Sequence, residues 1–117
     1  MRDMRLVKYT TTASTNATLV QAGNTQLFGW IISNSGAGSG RGVKVYNKGT
    51  AAPIPGTDTP VLNIAVPATA GNSNITQLLD NPINLTLGLG FATTIEIHDG
   101  GNTAIAANDL VVHFLIG

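Results

Sequence analysis

Two histidines, His98 and His113, and the carboxylates Asp58, Asp80, Asp99 and Asp109 are the groups from which a Ser-His-Asp constellation would have to be assembled in this chain. A nucleophilic serine also needs a strand-to-helix elbow of the form Gly-x-Ser-x-Gly, which strains the turn and exposes the hydroxyl. The nearest string, Gly36-Ala37-Gly38-Ser39-Gly40, holds Ser39 at the wrong place and leads into an alternating segment rather than a helix. The same stretch, residues 33–42 (SNSGAGSGRG), has the look of a phosphate cradle. Such cradles work because a following helix aims free N–H groups at the anion. Here Arg41 stands where a GxGxxG starting at Gly36 requires glycine, and the Gly-Lys-Ser/Thr of a Walker loop is missing. The stretch reads as a hairpin or inter-sheet loop, and no nucleotide site is expected.

Metal chemistry has as little to work with. The chain has no cysteine, so thiolate ligands and disulfides are both excluded. Asp99-Gly100-Gly101-Asn102 shares residue types with a calcium loop but lacks its alternating acidic positions and closing glutamate, and reads as a turn. Asp109, after Ala106-Ala107-Asn108, is expected to fix the start of the last strand through side-chain to backbone bonds. No catalytic residue, cofactor or metal ligand is assigned, and the protein is not expected to be an enzyme.

What remains is a vocabulary for surfaces. Only 10% of the 117 residues are charged, well under the usual share of about 25%. Thr, Asn, Ser, Gly and Ala must cover much of the exterior. The six cations, Arg2, Arg5, Lys8, Arg41, Lys44 and Lys48, all lie in residues 1–48; less Asp3 they leave +5 there, and Asp58, Asp80, Glu96, Asp99 and Asp109 leave −5 in the remainder. The segregation is either accidental or the mark of a subunit whose complementary poles meet head to tail. Scattered cations balanced by acids do not make a nucleic-acid footprint. The polar N-terminus (MRDMRLVKYTTTAST) is unlike a signal peptide, no apolar run is long enough for a membrane helix, and an unexported soluble chain is expected. The sequons at Asn16, Asn74 and Asn84 are then chance matches.

These residues must be carried by strands. Residues 89–98 alternate Phe91, Thr93, Ile95 and Ile97 against Ala92, Thr94, Glu96 and His98, and 42–48 set Val43 and Val45 against Lys44, Tyr46 and Lys48. Further strands are predicted over 4–9, 17–21, 26–33, 61–66, 74–79 and 108–116. Turn chemistry separates them at 53–60 (Pro53, Pro55, Gly56, Asp58, Pro60), 67–72, 80–82 and 99–102. About eight short strands with loops too long for a meander indicate one antiparallel β-sandwich over residues 1–117, of jelly-roll or related Greek-key type. Trp30, grouped with Phe28 and Ile32, belongs to the core or a subunit contact. Tyr46, opposite Val43 and Val45, is a candidate interface or binding aromatic. The last strand puts Leu110, Val112, Phe114 and Ile116 inward and Val111, His113 and Leu115 outward. That outer face either meets a partner or is covered by a loop or the N-terminal segment. Residues 1–8, with Arg2, Arg5 and Lys8 ahead of the polar run 10–15, suggest an arm lying on a neighbour.

The runs Val43-Lys44-Val45-Tyr46-Asn47-Lys48, Pro55-Gly56-Thr57-Asp58-Thr59-Pro60 with 61–68, 27–34 and 106–114 together resemble a group of small virion proteins of tailed bacteriophages. The resemblance spans roughly residues 27–115. It implies a β-sandwich that decorates or cements the outside of an icosahedral head, commonly as a homotrimer, with the major capsid protein as partner and no cofactor, nucleic acid or membrane. The location implied is the capsid surface of the virion, after synthesis in the host cytoplasm. The competing reading is a tail- or fibre-associated receptor or carbohydrate-binding module. The interface candidates are Arg2, Arg5, Lys8, Tyr46, Val111, His113 and Leu115.

Overall fold

β-Branched and aromatic residues suit a pleated, half-buried backbone, and eight strands form where they concentrate: β1 (Arg5–Thr10), β2 (Thr18–Ala22), β3 (Thr25–Asn34), β4 (Arg41–Asn47), β5 (Leu62–Val66), β6 (Ser73–Leu85), β7 (Gly88–Thr94) and β8 (Leu110–Ile116). The structure, a computed structural model, describes residues 4–68 and 73–117. Among these there is no helix. β1 pairs with β8, β2 with β7, β3 with β6 and β4 with β5, all antiparallel. The chain is therefore one long hairpin, its outgoing half paired with its returning half. Folding that hairpin over brings β3 against β8 and β4 against β7. Two four-stranded sheets result, ordered β1-β8-β3-β6 and β2-β7-β4-β5. This is the double Greek key of a jelly roll.

The core lies between the sheets. Leu27, Ile32, Val43, Val45, Leu89 and Val112 are fully buried there, and an aromatic chain ties the layers together. Phe91 of the second sheet meets Tyr9 and Phe114 of the first at ring-centroid distances of 4.9 and 5.3 Å, the latter edge-on.

Three local features differ from the alternation in the sequence. In β3 the register shifts between Leu27 and Gly29, so Leu27 takes the core position beside Trp30 and Ile32, and Phe28 is only half-buried. Asp80-Asn81-Pro82 does not end a strand: it is absorbed within β6, between Leu78 opposite Gly29 and Ile83 opposite Leu27. Proline is tolerated there because β6 is an edge strand and the register is broken. β7 stops at Thr94, so Ile95 and Ile97 leave the core face and stand 42% exposed.

Candidate functional site

The two sheets treat their outer faces differently. On the second sheet that face carries Gly42, Lys44 and Tyr46 from β4 beside Thr94, Ala92 and Gly90 from β7. Small side chains let two loops lie directly on it. A Cβ on Gly90 would come 3.0 Å from Pro53 Cδ of the 48–61 loop, and one on Gly42 would come 2.6 Å from the Glu96 carbonyl of the 95–109 loop. Every residue of β7 is buried in consequence.

Lys44, an outward residue by alternation, is fully buried under this roof and donates from Nζ to the Gly101 carbonyl at 2.7 Å. Burial holds its pKa below the ordinary lysine value, against the opposing pull of Glu96 and Asp99. The 95–109 loop is fastened further by Asn63 Nδ2, donating to the Ile97 carbonyl at 2.6 Å and to Asp99 Oδ1 at 3.0 Å. The Thr103 hydroxyl and backbone N–H both donate to Glu96, holding its carboxyl below the usual range.

Tyr46 is likewise buried, only 1% exposed, and is not the open aromatic that alternation suggests. The 48–61 loop closes over it. Asp58 Oδ2 anchors that loop, accepting from Lys48 Nζ and from the Ile54 N–H, both at 2.7 Å, and these bonds lower the Asp58 pKa. A cleft of about 270 Å³ remains at this edge, lined by Tyr46, Asn47, Lys48, Asp58 and Thr59. The Tyr46 hydroxyl is buried with no hydrogen-bond partner among the described residues. Burial, and then the nearby charges of Asp58 and Asp99, push its pKa up to about 12.

Among the described residues no such roof covers the leucine row of the first sheet. Register places Leu6, Leu115, Gly29 and Leu78 in one row across all four strands. The next rows are Lys8, His113, Ile31, Thr76 and Thr10, Val111, Ser33, Asn74. Leu6 and Leu78 are 56% and 64% exposed, and Val111, His113 and Leu115 are half-buried between flanking strands. Gly29 matters here because a Cβ would run into the Gln77 backbone carbonyl of β6, with Leu78 Cδ2 next at 3.1 Å. His113 Nδ1 lies 3.2 Å from the Ile31 carbonyl oxygen. His98 lies in the loop over the opposite sheet, so the two histidines cannot share a site.

The suggested arm is corrected from Arg5 onward. β1 is an edge strand of the body, zipped along β8 from Arg5 opposite Ile116 to Thr10 opposite Val111, and Arg5 reaches Gln21 Oε1 at 2.6 Å. Arg2 lies outside the described residues. The polar run that follows is stitched inward rather than left as a tether. The Thr11 hydroxyl accepts from the Leu110 N–H, and the Asn16 amide donates to Thr12, Ser14 and Thr93.

The glycine-rich loop is held by its own residues as well. Asn34 brackets it, accepting from the Ala37 N–H at 2.8 Å and donating to the Ala37 and Pro67 carbonyls. Arg41 is committed to Asp109 at 2.9 Å, where the two side chains are only 11% and 6% exposed. Asp109 Oδ2 also accepts from the Ala106 N–H, the strand-start role expected of it.

No protein-family model and no curated protein matches the chain. Among solved structures, the coat protein of Tobacco streak virus is similar over 97% of this chain and 84% of its own, with a TM-score of 0.36 and 8% identity. A likeness that distant carries no argument about function.

Proposed function

We propose that the protein is a structural subunit of a virus particle, of the kind that decorates or cements the outer surface of a tailed-phage head, and that it attaches through the outer face of its first sheet. Jelly rolls serve in capsids, lectins and cupins alike, so the fold by itself does not choose among these uses. The carrying observation is the asymmetry of the two outer faces. One is sealed by the chain's own loops, while the other offers three leucines, with Gly29 between two of them, in one row across its four strands. An apolar row of this kind, rimmed by Lys8 and His113, has the composition of an interface core with a polar edge.

Low charge fits the same reading. Arg41 and Lys48 are paired with Asp109 and Asp58 inside the fold, and Lys44 is buried on a carbonyl. Among the described residues outside these pairs, Glu96 and Asp99 lie in the roof of the second sheet, and Arg5 and Lys8 on the β1 edge face away from Asp80 on the β6 edge, the two ends of the first sheet. Opposite charges on opposite edges favour a head-to-tail contact that closes into a ring, and a homotrimer on the major capsid protein is the assembly proposed. Many copies engaged at once turn weak contacts into firm attachment.

The experiment is to add purified protein back to heads lacking it, comparing wild type with Leu6→Asp and Leu78→Asp. Both leucines are mostly exposed, so both variants should fold with an unchanged melting temperature and lose occupancy of the heads. Unaltered occupancy by both would remove this face from the account.

A further inference from the structure

We infer that β1 of one subunit adds as a strand to the free edge of β6 in the next, with Leu6 opposite Leu78, so that the first sheets of neighbouring copies join into one. The inference deepens the head-to-tail contact proposed above and rests on that contact, not on attachment to a head. Among the described residues β1 pairs only with β8, and β6 only with β3, so each presents one unpaired backbone edge. Such edges are templates for another chain. Every pairing within the sheet is antiparallel, which makes β6 run opposite to β1. Repeating the sheet sideways therefore sets β6 and the incoming β1 antiparallel, the more stable arrangement.

The rows fix the register. Leu6 and Leu78 end one row at its two edges, 56% and 64% exposed. Continuing that row into the next copy places them side by side, where each covers the other. Arg5 through Thr10 then face Leu79 back to Asn74, the stretch of β6 just before Asp80. The interruption at Asp80-Asn81-Pro82 falls outside the overlap, so the missing N–H of the proline is no obstacle. Gln77 Nε2 now donates to the Leu78 carbonyl at 3.2 Å, an exposed bond that an incoming N–H can take over.

Charge selects among the pairings. In this register Arg5 comes beside Asp80, and Lys8 meets the uncharged Thr76. Arg5 keeps donors beyond the one given to Gln21. Two β1 edges meeting each other would set Arg5 and Lys8 against like charges, and two β6 edges would leave both cationic edges uncovered.

The chain has no cysteine, so engineered thiols report contacts without background. Full-length Leu6→Cys and Leu78→Cys are prepared separately, mixed at high micromolar concentration, oxidised and resolved without reductant. Both leucines are mostly exposed, so both variants keep the fold. The expected product is the mixed covalent dimer, with none from either variant alone, whereas random collision would give all three dimers. In a chain carrying both cysteines the two stand three strand spacings apart, about 14 Å, beyond the reach of a disulfide, so it should form covalent oligomers instead. Asp80→Lys in the Leu78→Cys chain should cut the yield several-fold, and Arg5→Glu in the Leu6→Cys chain should restore it. A dimer of either variant alone shows β1 or β6 meeting its own copy and overturns the pairing, as does a mixture that gives no crosslink or a yield unmoved by Asp80→Lys. No heads are present, so failure here leaves attachment standing, and crosslinked oligomers that do not occupy heads leave the pairing standing.

Discussion

Replacing Tyr46 by Phe should make the protein more stable, and by an amount that depends on pH. At neutral pH the change deletes a buried hydroxyl that has no partner among the described residues. Burying such a group unsatisfied costs about 1–3 kcal/mol, and its removal leaves the ring packing in place, so a gain of about 1–2 kcal/mol is expected. Titration adds to this. The hydroxyl has a folded-state pKa of about 12 against 10.0 when unfolded. With the folded value above the unfolded one, its contribution is fully present below pH 10 and is lost as pH rises through 12. Two units at about 1.4 kcal/mol each make that loss on the order of 3 kcal/mol in the wild type, and the variant has no such limb.

Lys44 acts in the opposite sense. Its lowered pKa makes stability rise with pH between the folded value and 10.5. Tyr9, raised by burial, acts in the same sense as Tyr46. Both are shared by the two proteins, so subtracting their curves isolates Tyr46. The assay is urea unfolding followed by Trp30 fluorescence at several pH values from 7 to 11. A variant less stable than wild type at pH 7, or a difference that stays flat through the alkaline range, would refute the assignment of a desolvated, unpartnered hydroxyl.

Gly42→Ala should cost about 2–3 kcal/mol in the same unfolding assay, since its Cβ would stand 2.6 Å from the Glu96 backbone oxygen and must lift the roof loop. Faster hydrogen exchange at the Ile95 amide, which donates to the Thr103 carbonyl within that loop, is the local sign to look for. Asp109→Ala strands a mostly buried Arg41 and removes the acceptor of the Ala106 N–H, so a loss of about 2–4 kcal/mol is expected by thermal denaturation, and a neutral result would show that Arg41 is solvated in place. Asp58 and Glu96 both hold pKa values below ordinary. Their contributions are therefore present above the unfolded carboxyl values and fade as pH falls through the folded ones, so the protection of the Ile54 and Thr103 amides, taken relative to their intrinsic exchange rates, should fall below about pH 4.

The charge segregation has a topological explanation. A chain whose first half carries +5 and whose second half −5 looks like a subunit with opposed poles. In a nested hairpin, however, each strand of the first half pairs with one of the second. The cations of the first half thus meet acids of the second within one molecule: Arg41 with Asp109, Lys48 with Asp58, and Lys44 near Glu96 and Asp99. Among the described residues, the edges of the first sheet keep a smaller contrast, Lys8 on β1 against Asp80 on β6.

Strand positions were legible because period-two alternation and turn residues are local signals. Each of the eight strands overlaps the segment they mark, and the inward face of β8 is as they place it, although β6 runs on through 80–82 to Leu85 and β7 ends at Thr94. The outward set Val111, His113 and Leu115 was legible for the same reason. Alternation says which way a side chain points but not what lies above it. Tyr46 and Lys44 share the outward parity of Lys48, yet both are buried, because Gly42, Gly90 and Ala92 on the same face admit two loops from distant parts of the chain. The small residues and the Pro53, Pro55 and Pro60 cluster were visible in the sequence; that one lay over the other is a long-range contact. Bulges escape a periodic reading in the same way, since one inserted residue at Phe28 exchanges faces without altering composition. The leucine row arises only in the folded sheet, from residues 6, 29, 78 and 115, because four strands in register bring side chains together that no local window contains.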